Sequence, residues 1–226
     1  MNNLIQTISV IALPLLFAIT LHEAAHAYAA KYFGDPTAYM QGRMSLNPAK
    51  HIDPMGTILI PLLLYFSTGG AFMFGYAKPV PVNFGGLRQP KRDMAWVALA
   101  GPAANIVMAI GWMLALIGLA ATGAEKGDFF AMMAQYGIRI NLVLFALNLF
   151  PLPPLDGGRI LFSVLPHKYA FKLAKIEPYG FFIVLALMLI PFGDQRLLYA
   201  FWMDPLINAG YAALQWLATP LWALVH

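Results

Sequence analysis

The sequence predicts an all-α polytopic membrane protein with about five to six transmembrane helices and a re-entrant or membrane-associated hairpin after the first helix. Of its 226 residues, 60% are hydrophobic and only 11% are charged, and the mean hydropathy is +0.67. Soluble domains carry about 25% charged residues. The basic residues lie in short loops between apolar runs, which is the pattern of spanning helices joined on the cytoplasmic side.

Length and charge set further bounds. We expect a single domain over 1–226, with a core over about 4–160 and C-terminal membrane helices over about 177–226. The net charge of +4 does not indicate nucleic-acid binding, because the basic residues are spread over separate loops instead of forming one patch. The chain has no cysteine, which excludes a disulfide framework and a cysteine-ligated zinc site. Any metal must therefore be bound by His and carboxylate groups.

The first predicted helix runs from about Leu4 to about Tyr32 and stops at Gly34-Asp35-Pro36. This length is enough to cross a hydrocarbon core of about 30 Å. The basic residues Lys31, Arg43 and Lys50 follow, so we expect the N-terminus outside and the end of the helix at the cytoplasmic face.

The last third of this helix contains His22-Glu23-Ala24-Ala25-His26, which is the HExxH arrangement of zinc proteases. Residues four apart lie on one helix face, so both imidazoles can reach the same ion while Glu23 projects beside them. A pair of hydrogen-bonded core histidines is the alternative. Two histidines and a glutamate are costly to bury without a partner, and this cost favours a metal site.

Residues 37–84 are irregular and rich in Gly and Pro, with an apolar run from Met55 to Phe66 and a weaker one from Ala71 to Ala77. The first run, about twelve residues, is short for a crossing. Basic residues on both sides imply an even number of crossings, which predicts a re-entrant or surface-lying hairpin of helical or β character. For His51 three interpretations stay open: a fourth or transient metal ligand, a proton relay, or a hydrogen-bonded loop anchor.

Two longer apolar runs, Met94 to Ala121 and Ala131 to Phe150, are predicted to be full spans. Asn105 lies in the first and Asn148 in the second. Each is a candidate to hold a substrate backbone or an oxyanion, and each could equally form structural hydrogen bonds between helices.

The second of these spans ends in a proline-rich turn, Pro151-Leu152-Pro153-Pro154, which cannot continue a helix. Asp156 follows, and beside Gly157-Gly158 it could be a helix cap or a turn former. If the span enters from outside, however, Asp156 lies at the depth of the HExxH motif. It can then complete a metal site.

The C-terminal part begins with a basic, amphipathic segment that we expect at the cytoplasmic interface. It contains Arg159, His167, Lys168, Lys172 and Lys175. Tyr179 to Pro191 starts another crossing. The remaining apolar sequence to His226, interrupted by Asp204-Pro205 and Thr219-Pro220, fits either one more span or a hairpin.

Three protein ligands with one open position define a catalytic zinc site, and His22, His26 and Asp156 can supply them. Such an ion polarises a peptide carbonyl and acidifies water, while Glu23 accepts the proton of the water and passes it to the leaving amine. The irregular region 37–84 is a candidate clamp that presents an edge to an extended substrate strand.

Three stretches resemble, in this order, the conserved elements of the site-2 proteases, which are intramembrane zinc metalloproteases. They are His22-Glu23-Ala24-Ala25-His26, Gly101-Pro102-Ala103-Ala104-Asn105 and Asn148-Leu149-Phe150-Pro151-Leu152-Pro153-Pro154-Leu155-Asp156-Gly157-Gly158. Ala77-Lys78-Pro79-Val80-Pro81-Val82-Asn83, with Asn47-Pro48 and His51-Ile52-Asp53-Pro54, looks like the compact bacterial and archaeal branch. The resemblance covers about residues 20–160.

This resemblance implies that His22, His26 and Asp156 bind one zinc ion, that Glu23 is the catalytic base and that Asn148 positions the substrate. It also implies that the hairpin after the first helix engages the substrate. The implied substrates are single-pass proteins of a prokaryotic cell membrane, cleaved near its cytoplasmic face, such as membrane-anchored anti-sigma factors, membrane-bound transcription factors or remnant signal peptides. We see no stretch long or polar enough for the PDZ domain of many relatives, and no CBS domains.

Two other classes of protein were weighed. A metal-ion transporter can use membrane-embedded His and Asp as an ion path, but its polar residues would be spread through several spans, whereas these converge near one depth. A catalytically inactive scaffold that binds membrane segments does not need a base, and the intact Glu23 disfavours it. The expected partners are the lipid bilayer and membrane-protein substrates, with no nucleic acid.

Overall fold

The computed structural model describes residues 2–67, 69 and 75–222, with side chains from residue 6 onward. Over these residues all regular secondary structure is helical apart from one short antiparallel hairpin, in which Pro191–Phe192 pairs with Gln195–Arg196. The described α-helices are α1 Asn2–Tyr32, α2 Thr37–Met40, α3 Ile60–Ser67, α4 Pro90–Ala121, α5 Phe129–Asn148, α6 Asp156–Val164, α7 His167–Ala174, α8 Glu177–Leu189 and α9 Asp204–Trp222. The predicted all-α class is confirmed.

Three of the described helices are long and apolar enough to cross a membrane: Gln6–Tyr32 within α1, α4 and α5. The three longest apolar runs of the sequence are therefore confirmed as helices of spanning length. The predicted start at Met94 was late, because α4 begins at Pro90, whose missing N–H is harmless in the first helical turn. The charged residues that follow Pro90 belong to the helix, and the buried Asp93 carboxylate accepts a hydrogen bond from the Gln89 N–H at 2.8 Å.

The core forms where α4 packs against α5, with α8 and α9 closing one side. Small residues allow a close approach of these helices: a Cβ added at Gly137 of α5 would overlap the Trp112 ring of α4. Buried members of this core include Ala109, Met113, Leu142, Ala146, Val184 and Ile207. On its opposite side α4 packs against α1 and α6, and that contact holds the candidate site.

The predicted hairpin begins with a helical limb. Asp53 accepts a hydrogen bond from the Gly56 N–H, a π-helical turn runs over Pro54–Leu59, and α3 continues it. The chain returns at Tyr76, whose N–H donates to the Gly56 carbonyl at 2.9 Å. Residues 68 and 70–74, which include most of the weaker apolar run, lie outside the described residues. The described outgoing limb is helical, and the return segment, residues 75–83, has no regular secondary structure.

The proline-rich turn after α5 is closely packed. Residues 149–155 connect α5 to α6, and the Pro153–Pro154 peptide bond is cis. A Cβ at Gly157 would overlap the Leu149 carbonyl, and one at Gly180 of α8 would overlap the Pro153 carbonyl. These glycines let the backbone approach closely enough to bring Asp156, the first residue of α6, back against α1.

The C-terminal part contains two further elements after the short hairpin. A π-helical segment, Tyr199–Met203, leads directly into α9, so the described residues form one helix where the sequence allowed a span or a hairpin. The predicted crossing that starts at Tyr179 corresponds to α8, an apolar helix of 13 residues.

Candidate metal centre

The HExxH motif lies on α1 and meets the start of α6. The Nε2 atoms of His22 and His26 are 3.1 Å apart. The Asp156 carboxylate lies across from them, 3.2 Å from His22 Nε2 and 3.3 Å from His26 Nε2. Both histidines are buried and Asp156 is half-buried. The structure thus brings together the three residues that were predicted as metal ligands.

The chemistry of these donors fits a small cation. His26 Nδ1 lies 2.7 Å from the Val97 carbonyl oxygen, which can only accept, so Nδ1 carries the proton and Nε2 offers its lone pair. Ligands at about 2.0–2.2 Å from a tetrahedral zinc ion lie about 3.3–3.6 Å from one another, close to the separations seen here. Among the described groups, Asp156 Oδ2 is buried without a hydrogen-bond partner, so it is available as a ligand.

Space for the ion depends on Gly101 of α4. A Cβ at this position would lie 2.6 Å from His22 Nε2 and would overlap His26 Nε2. The glycine therefore lets α4 approach the imidazole pair without filling the centre of the site. The sequence offered a signal for this residue only through the Gly101–Asn105 resemblance, because close packing between distant helices leaves no periodic pattern.

The electrostatics also favour an ionised third ligand. Burial alone would raise the pKa of the Asp156 carboxyl group, but positive charge on the His26 and His22 imidazoles, when their Nε2 atoms are protonated, holds that pKa below its ordinary value. A bound cation would supply this positive charge in place of the Nε2 protons. Asp156 is not the N-cap of α6, because Leu155 occupies that position and Asp156 is the first residue of the helix. Its carboxylate is directed at the histidines.

Glu23 faces the return segment of the hairpin. Its Oε2 accepts a hydrogen bond from the Val80 N–H at 2.8 Å, and Val80 packs against Ala27 and Ala38. Two more contacts fix the return segment: the Lys78 N–H donates to the His51 carbonyl, and the Asn83 N–H donates to the buried Asp35 carboxylate. A backbone donor such as Val80 could not be found from residue types.

The structure also defines the surroundings of the other candidates. Asn105 is fully buried, with its Oδ1 2.6 Å from His22 Nδ1 and its Nδ2 donating to Asn141 at 2.9 Å. Asn148 is half-buried and donates to the Leu144 carbonyl of its own helix at 3.1 Å. For both asparagines a substrate contact stays a prediction, and the described bonds are structural ones.

His51 has the contacts of a loop anchor. It is buried, its Nε2 lies 2.8 Å from the Ser45 carbonyl oxygen, and its own carbonyl accepts the Lys78 N–H. It is not among the grouped donors, which are His22, His26 and Asp156 in the described part of the chain.

Comparisons with known proteins find zinc metalloproteases. The model of Peptidase family M50 matches residues 117–191, which include Asp156 but not the HExxH motif. The provisionally named zinc metalloprotease YwhC of Bacillus subtilis is 40% identical over 208 residues, or 88% of this chain and 86% of its own. Rip2 of Mycolicibacterium smegmatis, also provisionally named a zinc metalloprotease, is 33% identical over 178 residues, or 78% of this chain and 65% of its own.

Zinc metalloprotease MJ0392 of Methanocaldococcus jannaschii is 27% identical over 177 residues, which is 78% of this chain but only 40% of that protein. No solved structure gave a significant match.

Proposed function

The chain belongs to peptidase family M50, the site-2 type of zinc metalloprotease, and on that basis we propose that it hydrolyses peptide bonds in or near transmembrane segments of other membrane proteins. The observation that carries this proposal is the convergence of two histidines, an aspartate and a glutamate at the end of a helix long and apolar enough to span a membrane. A soluble substrate would not require the site to be built on such a helix.

In the proposed mechanism, His22 Nε2, His26 Nε2 and an oxygen of Asp156 hold the zinc ion. The ion supplies Lewis-acid chemistry, polarising the peptide carbonyl and making water a stronger acid. Glu23 is the base: Oε2 is held by the Val80 N–H, and Oε1 accepts the proton of the attacking water. Glu23 then delivers this proton to the nitrogen of the leaving amine, which is released as the new N-terminus.

Substrate contacts belong to the hairpin and to the asparagines in this proposal. The return segment contacts Glu23 through the Val80 N–H, and we propose that a substrate strand at the site lies beside this segment. Asn148, half-buried at the end of α5, is the proposed amide for a substrate backbone. Asn105, the second candidate, is fully buried with its amide bonded to His22 and Asn141, so a substrate would have to displace those bonds.

We place the N-terminus outside and the site toward the cytoplasmic side of a prokaryotic cell membrane, with about five to six crossings and a re-entrant or membrane-associated hairpin over 37–84. The basic loops after α1 and before α4 and the basic α7 support this orientation. The proposed substrates are single-pass proteins such as anti-sigma factors, membrane-bound transcription factors or remnant signal peptides.

The test is cleavage of a model transmembrane substrate by the purified protein in detergent, with zinc content measured on every sample. We expect Glu23→Gln to retain zinc and to lose cleavage by about 100-fold or more, because Gln cannot accept the proton. Equal cleavage by this variant would contradict the assigned base. Retained zinc with no cleavage of any substrate by the parent protein would argue for a membrane-segment-binding scaffold.

A further inference from the structure

We infer that Asn105 and Asn141 form a buried relay that fixes the tautomer and orientation of His22 and thereby presents its Nε2 to the metal. Both are positioning residues, since neither touches the centre itself. The inference rests on the proposed metal centre. It assigns a function to Asn141, which no motif of the sequence singled out, and gives Asn105 a role other than substrate binding.

The direction of every proton in the relay follows from its far end. The Gly137 carbonyl oxygen can only accept, and it lies 2.8 Å from the Asn141 side-chain amide, so the NH₂ group of Asn141 faces it. The oxygen of Asn141 then faces Asn105, 2.9 Å away, and Asn105 must donate with its own NH₂ group. The oxygen of Asn105 is left to face His22.

A second acceptor supports the same orientation of Asn105. The Ala18 carbonyl oxygen of α1 lies 3.5 Å from Asn105 Nδ2, so both neighbours of that nitrogen are acceptors. Rotating the amide by half a turn would place its oxygen against two other oxygens. His22 Nδ1, 2.6 Å from Asn105 Oδ1, must therefore carry the proton, and His22 Nε2 is left with a lone pair.

Burial restricts the two amides to this single orientation. Asn105 and Asn141 are both 0% exposed, so water does not offer either amide an alternative partner. Leaving a buried amide unpaired is costly, and the orientation with all groups paired is strongly preferred. The relay also ties α1, α4 and α5 together at the depth of the site, whereas the bond between His26 and the Val97 carbonyl joins only α1 and α4. Partners behind metal-bound histidines typically change metal affinity by about 10–100-fold when removed.

The experiment measures the zinc affinity of the purified full-length protein by competition with a chelator. We expect Asn105→Leu to bind zinc about 10–100-fold more weakly than the parent, and Asn141→Leu about tenfold more weakly. Asn105→Asp keeps an acceptor for His22 Nδ1–H but loses the NH₂ group that faces Asn141 Oδ1 and the Ala18 carbonyl oxygen, so it should lose less zinc affinity than Asn105→Leu without reaching the parent value. The matched control is Asn148→Leu, which also removes an amide bonded to a carbonyl one turn earlier on α5 but has no contact with the relay; it should not change zinc affinity.

The inference would be overturned if Asn105→Leu kept the parental zinc affinity, or if Asn105→Leu and Asn105→Asp lost zinc affinity equally. Either result would mean that the acceptor for His22 Nδ1–H does not matter. Parental affinity in Asn141→Leu would remove Asn141 from the relay. If Asn105→Leu does not fold, the comparison of Asn141→Leu with Asn148→Leu decides. These outcomes do not depend on cleavage, so the inference can fail while the proposed protease function stands. A parent protein that binds zinc but cleaves no substrate would contradict only the proposed protease function.

Discussion

The space around the imidazole pair on α1 depends on a single residue position of α4. His22 and His26 can share an ion because they are four residues apart, but the ion also needs room on the side facing α4. Gly101 provides it, since this is where a Cβ would meet both rings. The imidazole donors on α1 can therefore share an ion only if the facing position on α4 is a glycine.

At this scale we expect Gly101→Ala to impair the site severely. The added methyl group would push the imidazoles from their positions, and a displacement of about 1 Å can cost about 100-fold in activity. Zinc content and substrate cleavage are the measurements. Gly111→Ala is the matched control, because it lies on the same helix with no atom within 4 Å of the added Cβ, and it should behave like the parent. A fully active, zinc-loaded Gly101→Ala protein would show that the close approach is not required.

Among the elements, the return segment 75–83 gives Glu23 its orientation. Pro79 and Pro81 have no N–H, so Val80 is the one residue of this Pro-Val-Pro sequence that can donate a backbone hydrogen bond, and it donates to Glu23. The same prolines limit the hydrogen bonds that the segment can donate to a substrate strand. The edge toward which the N–H groups of residues 79 and 81 would point has no donor at these two positions. We expect the substrate to be held here mainly through carbonyl oxygens.

Replacing Val80 by Pro removes the donor to Glu23 and also alters the packing of this side chain against Ala27 and Ala38. A hydrogen bond to a charged group is worth about 1.5–3 kcal/mol, so we expect kcat to fall about 10–100-fold with zinc content unchanged. Val80→Ala keeps the N–H and should retain most of the activity.

The matched control is Val82→Pro, because the Val82 N–H donates no hydrogen bond within the described residues. Equal kcat in Val80→Pro and Val82→Pro would contradict the orienting role. Higher activity in Val80→Pro would mean that the contact restrains Glu23 instead of orienting it.

At the level of the whole molecule, the proposed function implies a definite orientation of the chain in the membrane. The loop between α4 and α5 carries the exposed Lys126, and α7 carries the exposed Lys168. If the N-terminus is outside and α1, α4 and α5 each cross once, these two residues lie on opposite sides, with α7 on the side of the candidate metal centre.

The natural absence of cysteine allows a direct test of this orientation. We expect Lys126→Cys to react with a membrane-impermeant maleimide on intact cells, and Lys168→Cys to react only after the membrane is opened. Cleavage of a model substrate by both variants checks that they fold. The reverse labelling pattern would place the site toward the outside, and labelling of both on intact cells would mean that an odd number of crossings does not separate them.

Sequence alone determined the parts of this protein that depend on local chemistry. The long apolar runs were predicted to be helices, because a helix satisfies all backbone hydrogen bonds within one membrane-spanning segment, and the prolines at 151–154 cannot continue α5. The spacing of His22 and His26 likewise determined that both could share an ion. Asp156 was predicted as their partner because the positive loops fixed the depth at which its helix ends.

Only the tertiary structure decided what lies behind and across from those residues. Asn105 meets His22 from 83 positions away, Val80 meets Glu23 from 57, and Asn141 meets Asn105 from 36. These contacts depend on how closely helices approach at glycines and on where single backbone groups point, and neither leaves a periodic signal in the sequence. The sequence thus supplied the candidate ligands, whereas the packing of α1, α4 and α5 determined which nitrogen of His22 faces the candidate metal centre.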